Sequence, residues 1–338
     1  MFYENVNIMG MGNVDAPHRV SSLELEAPFA ANLERFGMRP NLIETLTGIK
    51  ARRFWDPGLS PSTYASQAAV MALEDARLPK DKVGVLINCS ISKDYIEPSV
   101  ASLIHNNLQL PEQCMNFDVS NACLGFLNGM LIAGNMIERG QTDYALLAAC
   151  ESTGDLSRVT VEQMAHPDIS EEEFRARFAT LTLGSAAVAM VLARKDLAPD
   201  GHAFLGGVSL AATQHARLCV GQNEDMKTDA RGLLLAGIEL STKTWAKACQ
   251  DMDWDKKDFA QYIMHQVGET HLRTLVQAIG LPDEKVPKVY PEYGNTGSTT
   301  LPLTLFKALE EGKVNKGDRL ALMGIGSGIN CALMEVIW

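Results

Sequence analysis

The sequence predicts an α/β protein of two similar halves, with mixed sheets layered between helices, on three observations. Short runs rich in Val, Ile, Leu and Ala alternate with longer stretches of helical periodicity. A helix–Gly–Asp–strand passage occurs once in each half of the chain. A charged break containing Pro and Gly, RKDLAPDGH at 194–202, separates the two occurrences.

The apolar runs predict strands at Val6–Met11, Val83–Cys89, Met115–Val119, Tyr144–Ala149, Ala186–Ala193, Ala203–Ala211, Tyr262–His265, Arg319–Gly324 and Cys331–Ile337. Helical spacing covers Ser62–Arg77, Leu124–Arg139, Arg231–Gln250, Glu269–Ile279 and Leu301–Glu311. The recurring passage is MIERGQTDYALLAA at Met136–Ala149 and ALEEGKVNKGDRLALMG at Ala308–Gly324. A further apolar run follows each, GSAAVAMVLA and GSGINCALMEVI, as the far side of a hairpin or a sheet edge. The halves are therefore 1–198 and 199–338, and ligands are expected where they meet. Asp155–Phe178, acidic and irregular, reads as an insertion or lid over the first half.

Composition narrows the function. The chain has 338 residues, 46% of them hydrophobic, enough for a large core. A net charge of -11 argues against a broad nucleic-acid or anionic-membrane face. Lys50, Arg52 and Arg53 form the tightest early basic cluster, which suits either a local anion pocket or a solvated loop. The seven cysteines contain no CxxC, so free thiols in a reducing compartment are expected, without a zinc or redox site. The N-terminal residues lack the pattern of a signal peptide, and no run is long enough to span a membrane. A cytoplasmic location is the expectation.

The segment FDVSNACLGFLNG, Phe117–Gly129, is the most informative. A strand ends at Val119, small residues turn the chain, and Cys123 opens a long helix. Orphan N–H groups and the positive dipole end there favour a thiolate. The same N–H groups can hold a thioester oxyanion, worth roughly 3 kcal/mol per donor. A free cysteine is also commonly a small buried hydrophobe. Downstream, YIMHQ ends a strand in His265, PEYGNTGSTTLP puts Asn295 in a Gly-flanked turn, and GIGSGIN at Gly324–Asn330 is a turn where backbone can approach a ligand. Taken singly, each of these also suits a structural role.

In order, DVxxAC, HQ, GN and GxGxG resemble the ketoacyl synthase III branch of the thiolase superfamily, over essentially the whole chain from TGIKARR at Thr47–Arg53 to the last strand. Within it the OleA-type acyl-CoA condensing enzymes of bacterial long-chain olefin synthesis are most similar, through ARRFWD at Ala51–Asp56, SKDYIEPS at Ser92–Ser99, FDVSNACLGFLNGM at Phe117–Met130 and GSGINCALMEVIW. The resemblance implies a thiolase fold and a homodimer. It implies no permanently bound cofactor or metal, coenzyme A thioesters as substrates, and downstream olefin-pathway enzymes as partners. It makes Cys123 the acylated nucleophile and pairs His265 with Asn295 on the second thioester's oxygen. Glu97 becomes the α-proton base inserted by the partner subunit, buried among acyl chains with a raised pKa. The backbone N–H of Ser327 joins that of Cys123 in the first oxyanion hole.

Three departures matter. HQVG replaces the usual HQAN of ketoacyl synthase III, with Gly268 in place of the Asn. Leu42 and Leu46 stand where that family clamps the coenzyme A adenine with Trp and Arg. Met323 precedes the Gly-rich turn where thiolases carry a second catalytic Cys. The implied reaction joins two long-chain acyl-CoAs without decarboxylation. The competing readings are a decarboxylative synthase using malonyl-ACP and a non-catalytic thiolase-like partner.

Overall fold

The computed structural model describes residues 1–58, 60–222 and 224–338. The first half contains strands β1 (Val6–Asp15), β2 (His18–Ser21), β3 (Ala51–Phe54), β4 (Val85–Asn88), β5 (Met115–Asp118), β6 (Tyr144–Glu151) and β7 (Ala186–Arg194). Its helices are α1 (Ser22–Glu26), α2 (Ala30–Arg35), α3 (Leu42–Thr47), α4 (Pro61–Asp75), α5 (Val100–Leu108), α6 (Gly125–Glu138), α7 (Gly154–Ala165) and α8 (Glu171–Arg177). The rest contains β8 (His202–Ala211), β9 (Cys219–Gly221), β10 (Met226–Thr228), β11 (Gln261–Met264), β12 (Arg319–Gly326) and β13 (Asn330–Ile337). Its helices are α9 (Ala230–Met252), α10 (Glu269–Ile279), α11 (Tyr290–Tyr293) and α12 (Thr300–Glu310).

Every strand and helix expected from periodicity forms. The recurring passage is α6–β6 in one half and α12–β12 in the other, and each second strand, β7 or β13, folds back antiparallel on its predecessor. Nine strands make one mixed sheet in the order β11-β12-β13-β8-β1-β7-β6-β4-β5, while β2 pairs with β3 and β9 with β10 in two small ribbons. Two residue pairs, Asn7 with Ala203 and Ile8 with His202, join β1 to β8. Through this narrow seam the two sets of strands fold over each other.

Between them lie α6 and α12. Phe126, Leu127 and Met130 of α6 share one buried cluster with Leu301, Leu303 and Leu305 of α12 and with strands of both sets. Each of these side chains contributes about 1.5–3 kcal/mol by leaving water. Helices α4 and α5 cover the outer face of the first set, and α9 and α10 that of the second. The two central helices begin just after Cys123 and just after Asn295, so the layering brings both residues to the helix N-terminal end of the core.

Two expectations are corrected. Asp155–Phe178 is regular, forming α7 and α8, and Met164 and Phe174 seal a satellite core with Phe29 and Leu33. Its acidic residues occupy the outer faces of these helices, which masked the apolar stripe. The basic cluster at 50–53 is split: Arg52 and Arg53 alternate across β3, and Lys50 precedes the strand. Arg52 is fully buried and donates to Ser22 Oγ at 3.0 Å and to Leu181 O at 2.9 Å. Lys50 is exposed, and Arg53 lies over the Tyr293 ring.

Candidate active site

After β5 the chain turns sharply through Ala122, whose φ of 45° is left-handed, a conformation costing a non-glycine residue about 1–3 kcal/mol. The turn is closed by Leu124 N donating to Asn121 O at 2.9 Å and Gly125 N to Ala122 O at 3.1 Å. Cys123 sits at its tip, directly before the cap of α6. Against it lies the β12–β13 turn containing Ser327. Asn330 Nδ2 donates to Asn121 Oδ1 at 3.3 Å, and Asn121 Nδ2 to Asn128 Oδ1 at 2.7 Å. A Cβ on Gly326 would stand 3.2 Å from Cys123 N and 3.3 Å from Leu124 N, so the absence of a side chain leaves room before those amides.

The helix end does not make Cys123 a resting thiolate. Burial, the Glu151 carboxylate and the Cys219 thiol push its pKa up to about 12. Desolvation and a nearby negative charge outweigh the dipole, so the group is a thiol in the free chain.

His265 follows β11, its N–H bonded to Met323 O at 2.9 Å. It is 2% exposed, and burial, reinforced by His271, lowers its pKa to about 3. The imidazole is therefore neutral and can donate one N–H to an oxygen. The adjacent Gln266 is structural. Its Nε2 donates to Pro287 O at 2.7 Å, and its Oε1 accepts from Val289 N at 2.9 Å and Tyr290 N at 3.2 Å. It thus fastens the strand that ends in His265 to the segment leading into Asn295. Gly268 lets α3 close over this strand end, since a Cβ there would lie 2.8 Å from Thr47 O.

Asn295 is held from both sides: its N–H reaches Thr182 O at 2.8 Å and its carbonyl accepts from Gly184 N at 2.9 Å. Its Oδ1 accepts from Gly297 N at 3.0 Å, which fixes the amide and turns the NH₂ group to donate elsewhere. Two donors, from His265 and Asn295, thus come from neighbouring segments that Gln266 ties together.

Glu97 is different. It lies on the loop between β4 and α5, exposed along with Tyr95 (60%) and Ile96 (95%). The burial expected for it is not supplied by its own chain.

One carboxylate at the site escaped the sequence reading. Glu151, at the end of β6, is 2% exposed and accepts from both the Glu97 loop and the segment after Asn295. A glutamate closing the fully apolar run ALLAAC was the available signal. Among the described residues no cluster of His, Cys, Asp and Glu could hold a metal ion, and no helix is long and apolar enough to cross a membrane. A cavity of about 420 Å³ beside α7 and α8 and another of about 550 Å³ beside β1 and Trp338 are lined by none of these site residues.

Residues 117–210 match the 3-oxoacyl-[acyl-carrier-protein] synthase III family, and residues 249–338 match its C-terminal family. The fold and these matches define a thiolase-fold acyltransferase of the synthase III type. An acyl-CoA:acyl-CoA alkyltransferase of Xanthomonas campestris is 44% identical over 338 residues, covering 100% of both chains. A Shewanella oneidensis enzyme of the same description is 35% identical, again over 100% of both. A β-ketoacyl-ACP synthase III of Bacillus pumilus is 25% identical over 99% of both. Cerulenin-bound X. campestris OleA superposes with a TM-score of 0.98, covering 100% of this chain and 98% of that one. A cysteine-to-serine variant of it with bound lauric acid and lauroyl-CoA gives 0.97, covering 99% and 100%. The chain belongs to the OleA-type acyl-CoA:acyl-CoA alkyltransferase family.

Proposed function

We propose that this protein joins two long-chain fatty acyl-CoAs by a non-decarboxylative Claisen condensation, giving a 2-alkyl-3-ketoacyl-CoA for olefin or other hydrocarbon synthesis in the cytoplasm. The observation that carries the reading is the full-length 44% identity to an acyl-CoA:acyl-CoA alkyltransferase. Solved variants of the X. campestris enzyme alter one glutamate, one cysteine and one histidine. Those three residues stand at the same spacings from one another as Glu97, Cys123 and His265, which supports the assignment.

Cys123 attacks the first acyl-CoA and becomes a thioester. Its proton is lost during attack and leaves with coenzyme A as the free thiol. The backbone N–H groups of Cys123 and Ser327 hold the oxyanion. The second acyl-CoA presents its carbonyl oxygen to His265 and Asn295, and neutral His265 donates without first needing to shed a charge. A thioester α-proton is weakly acidic, so with no carboxylate to lose a base must remove it. Glu97 of the partner subunit is that base. The enolate carbon then attacks the acyl-Cys123 carbon, and the Cys123 sulfur leaves and is reprotonated.

The homodimer is part of this reading. Strand β5 is a sheet edge with Met115 exposed, and beside it the loop tip carries Tyr95 and Ile96 into solvent. An unpaired edge and an apolar tip together suit a second copy, whose site would bury Glu97. The units 1–198 and 199–338 each contribute part of the pocket: Cys123 from the first, His265, Asn295 and Ser327 from the second. The test is mass spectrometry of the product from myristoyl-CoA alone, with no malonyl donor. A branched C28 ketoacyl product is expected, and turnover only with malonyl-ACP would overturn the reading.

A further inference from the structure

Glu151 ends β6 with its carboxylate enclosed and five donors converging on it. Oε1 accepts from Ile91 N at 2.9 Å, Ser298 N at 3.3 Å and Ser298 Oγ at 2.5 Å. Oε2 accepts from Ser92 N at 3.0 Å and Ser92 Oγ at 2.8 Å. An ionised carboxylate can accept all five, and these donors oppose the burial that raises the Glu151 pKa. The donors come from two places distant in sequence. Ile91 and Ser92 begin the loop that carries Glu97. Ser298 follows Asn295 by one turn, and Gly297 between them has a φ of 56° and lies so close that a Cβ would stand 3.2 Å from the Glu151 carboxyl carbon.

The rest of the Glu97 loop is anchored by other carboxylates. Asp94 accepts from Ser62 N at 3.1 Å and Ser62 Oγ at 2.7 Å. Asp118 receives Val100 N at 3.1 Å and Ala101 N at 2.9 Å at the start of α5. Tyr95, Ile96 and Glu97 are left as the free tip between these anchors. Glu151 thus holds the root of this loop, while Asp94 and Asp118 hold it on either side of the tip.

We propose that Glu151 is a positioning residue that holds two catalytic arms at once: the Asn295 turn of its own site and the root of the Glu97 loop, which serves the site of the partner subunit. This rests on the reading that Glu97 acts across a homodimer. A charged Glu151, after burial, also raises the Cys123 pKa.

The experiment uses mixed dimers of full-length chains. A Cys123→Ala chain paired with a Glu97→Gln chain has one intact site if Glu97 works in trans, and rescue of activity in this control establishes that reading alone. Glu151→Gln is then added to one chain or the other. In the Cys123→Ala chain it reaches the intact site only through the Glu97 loop, and in the Glu97→Gln chain only from within that site, through the Asn295 turn and the charge beside Cys123. A fall of about 10-fold or more is expected in both placements, in line with the loss of one oxyanion donor or a displaced base. A fall in one placement alone would reduce Glu151 to a support for that arm, and no fall in either would overturn the proposal. If the control shows no rescue, the trans reading fails. The Glu151→Gln homodimer then decides the remainder: Cys123 should still acylate within about 3-fold while condensation falls about 10-fold or more. Its rate of iodoacetamide alkylation should also rise at a lower pH than in the wild type, since a negative charge beside the sulfur is gone. Equal loss of acylation and condensation, with an unshifted alkylation profile, would mean a merely structural role. Should Glu151→Gln fold poorly, Ser92→Ala and Ser298→Ala cut the two arms separately in the same mixed dimers.

Discussion

Gly326 faces the backbone amide of Cys123 so closely that a single added methyl would stand 3.2 Å from its nitrogen. That is tighter than carbon ordinarily sits, and the methyl would occupy the space where a thioester oxygen meets the amide. Gly326→Ala should therefore fold, because both backbones can yield by a few tenths of an ångström, yet acylate Cys123 slowly. A loss of ~10–10² in the acylation rate is expected, part of what one oxyanion donor supplies. Wild-type acylation, followed by intact-protein mass, would argue that this face is not the oxyanion hole.

Cys123→Ala should abolish both the covalent acyl mass and the condensation product. In the wild-type chain without substrate, alkylation of Cys123 by iodoacetamide should be slow at neutral pH and climb as pH rises toward about 12, where burial and Glu151 place the thiol. Labelling at Cys89 or Cys331 in its place would remove Cys123 as nucleophile.

His265→Ala and Asn295→Ala should separate the two half-reactions. Both variants should still carry the acyl mass on Cys123 but condense ~10²–10³ times more slowly, the usual effect of removing one oxyanion donor. Equal loss in both steps would assign them to the fold or to activation of Cys123.

Glu97→Gln should acylate normally and lose exchange of the second substrate's α-hydrogen with heavy water. Retained exchange, read by mass spectrometry of recovered acyl-CoA, would remove Glu97 as the base and favour a decarboxylative route.

Acid should destabilise the protein through its buried imidazoles. His265 and His271 are held neutral in the fold, with pKa values lowered to about 3 and about 4 by burial, whereas the unfolded chain takes up protons near the ordinary 6.5. The unfolded state thus binds more protons between these limits, so stability falls as pH drops below 6.5. Each imidazole contributes up to about 1.4 kcal/mol per pH unit in that window. His271→Gln should flatten the decline in urea midpoint between pH 7 and pH 5, and an unchanged slope would place the acid sensitivity elsewhere.

The sequence was informative where a property is local. Strands such as Ala186–Arg194 and helices such as Gly125–Glu138 announce themselves by apolar spacing, and Cys123 by a strand, a small-residue turn and a helix in succession. The short elements were hidden. Strands β2 and β3 are four residues each and pair only with each other, and the apolar stripe of α8 is a single Phe174 among charges. Such elements form because partners cover them, and propensity over a handful of residues is too weak to reveal that.

By itself, then, the sequence determined the α/β alternation, the doubled helix–strand unit and the four side chains proposed to carry the chemistry. Only the tertiary structure decided their states. It made Cys123 a thiol, turned Arg52 inward, left Glu97 outside its own chain's core, and gathered Glu151 with Ser298, 147 residues away. The reason is physical. Periodicity and turn chemistry depend on neighbours along the chain, whereas the charge on a thiol, the neutrality of a histidine and the satisfaction of a carboxylate depend on desolvation and on donors that folding alone brings near.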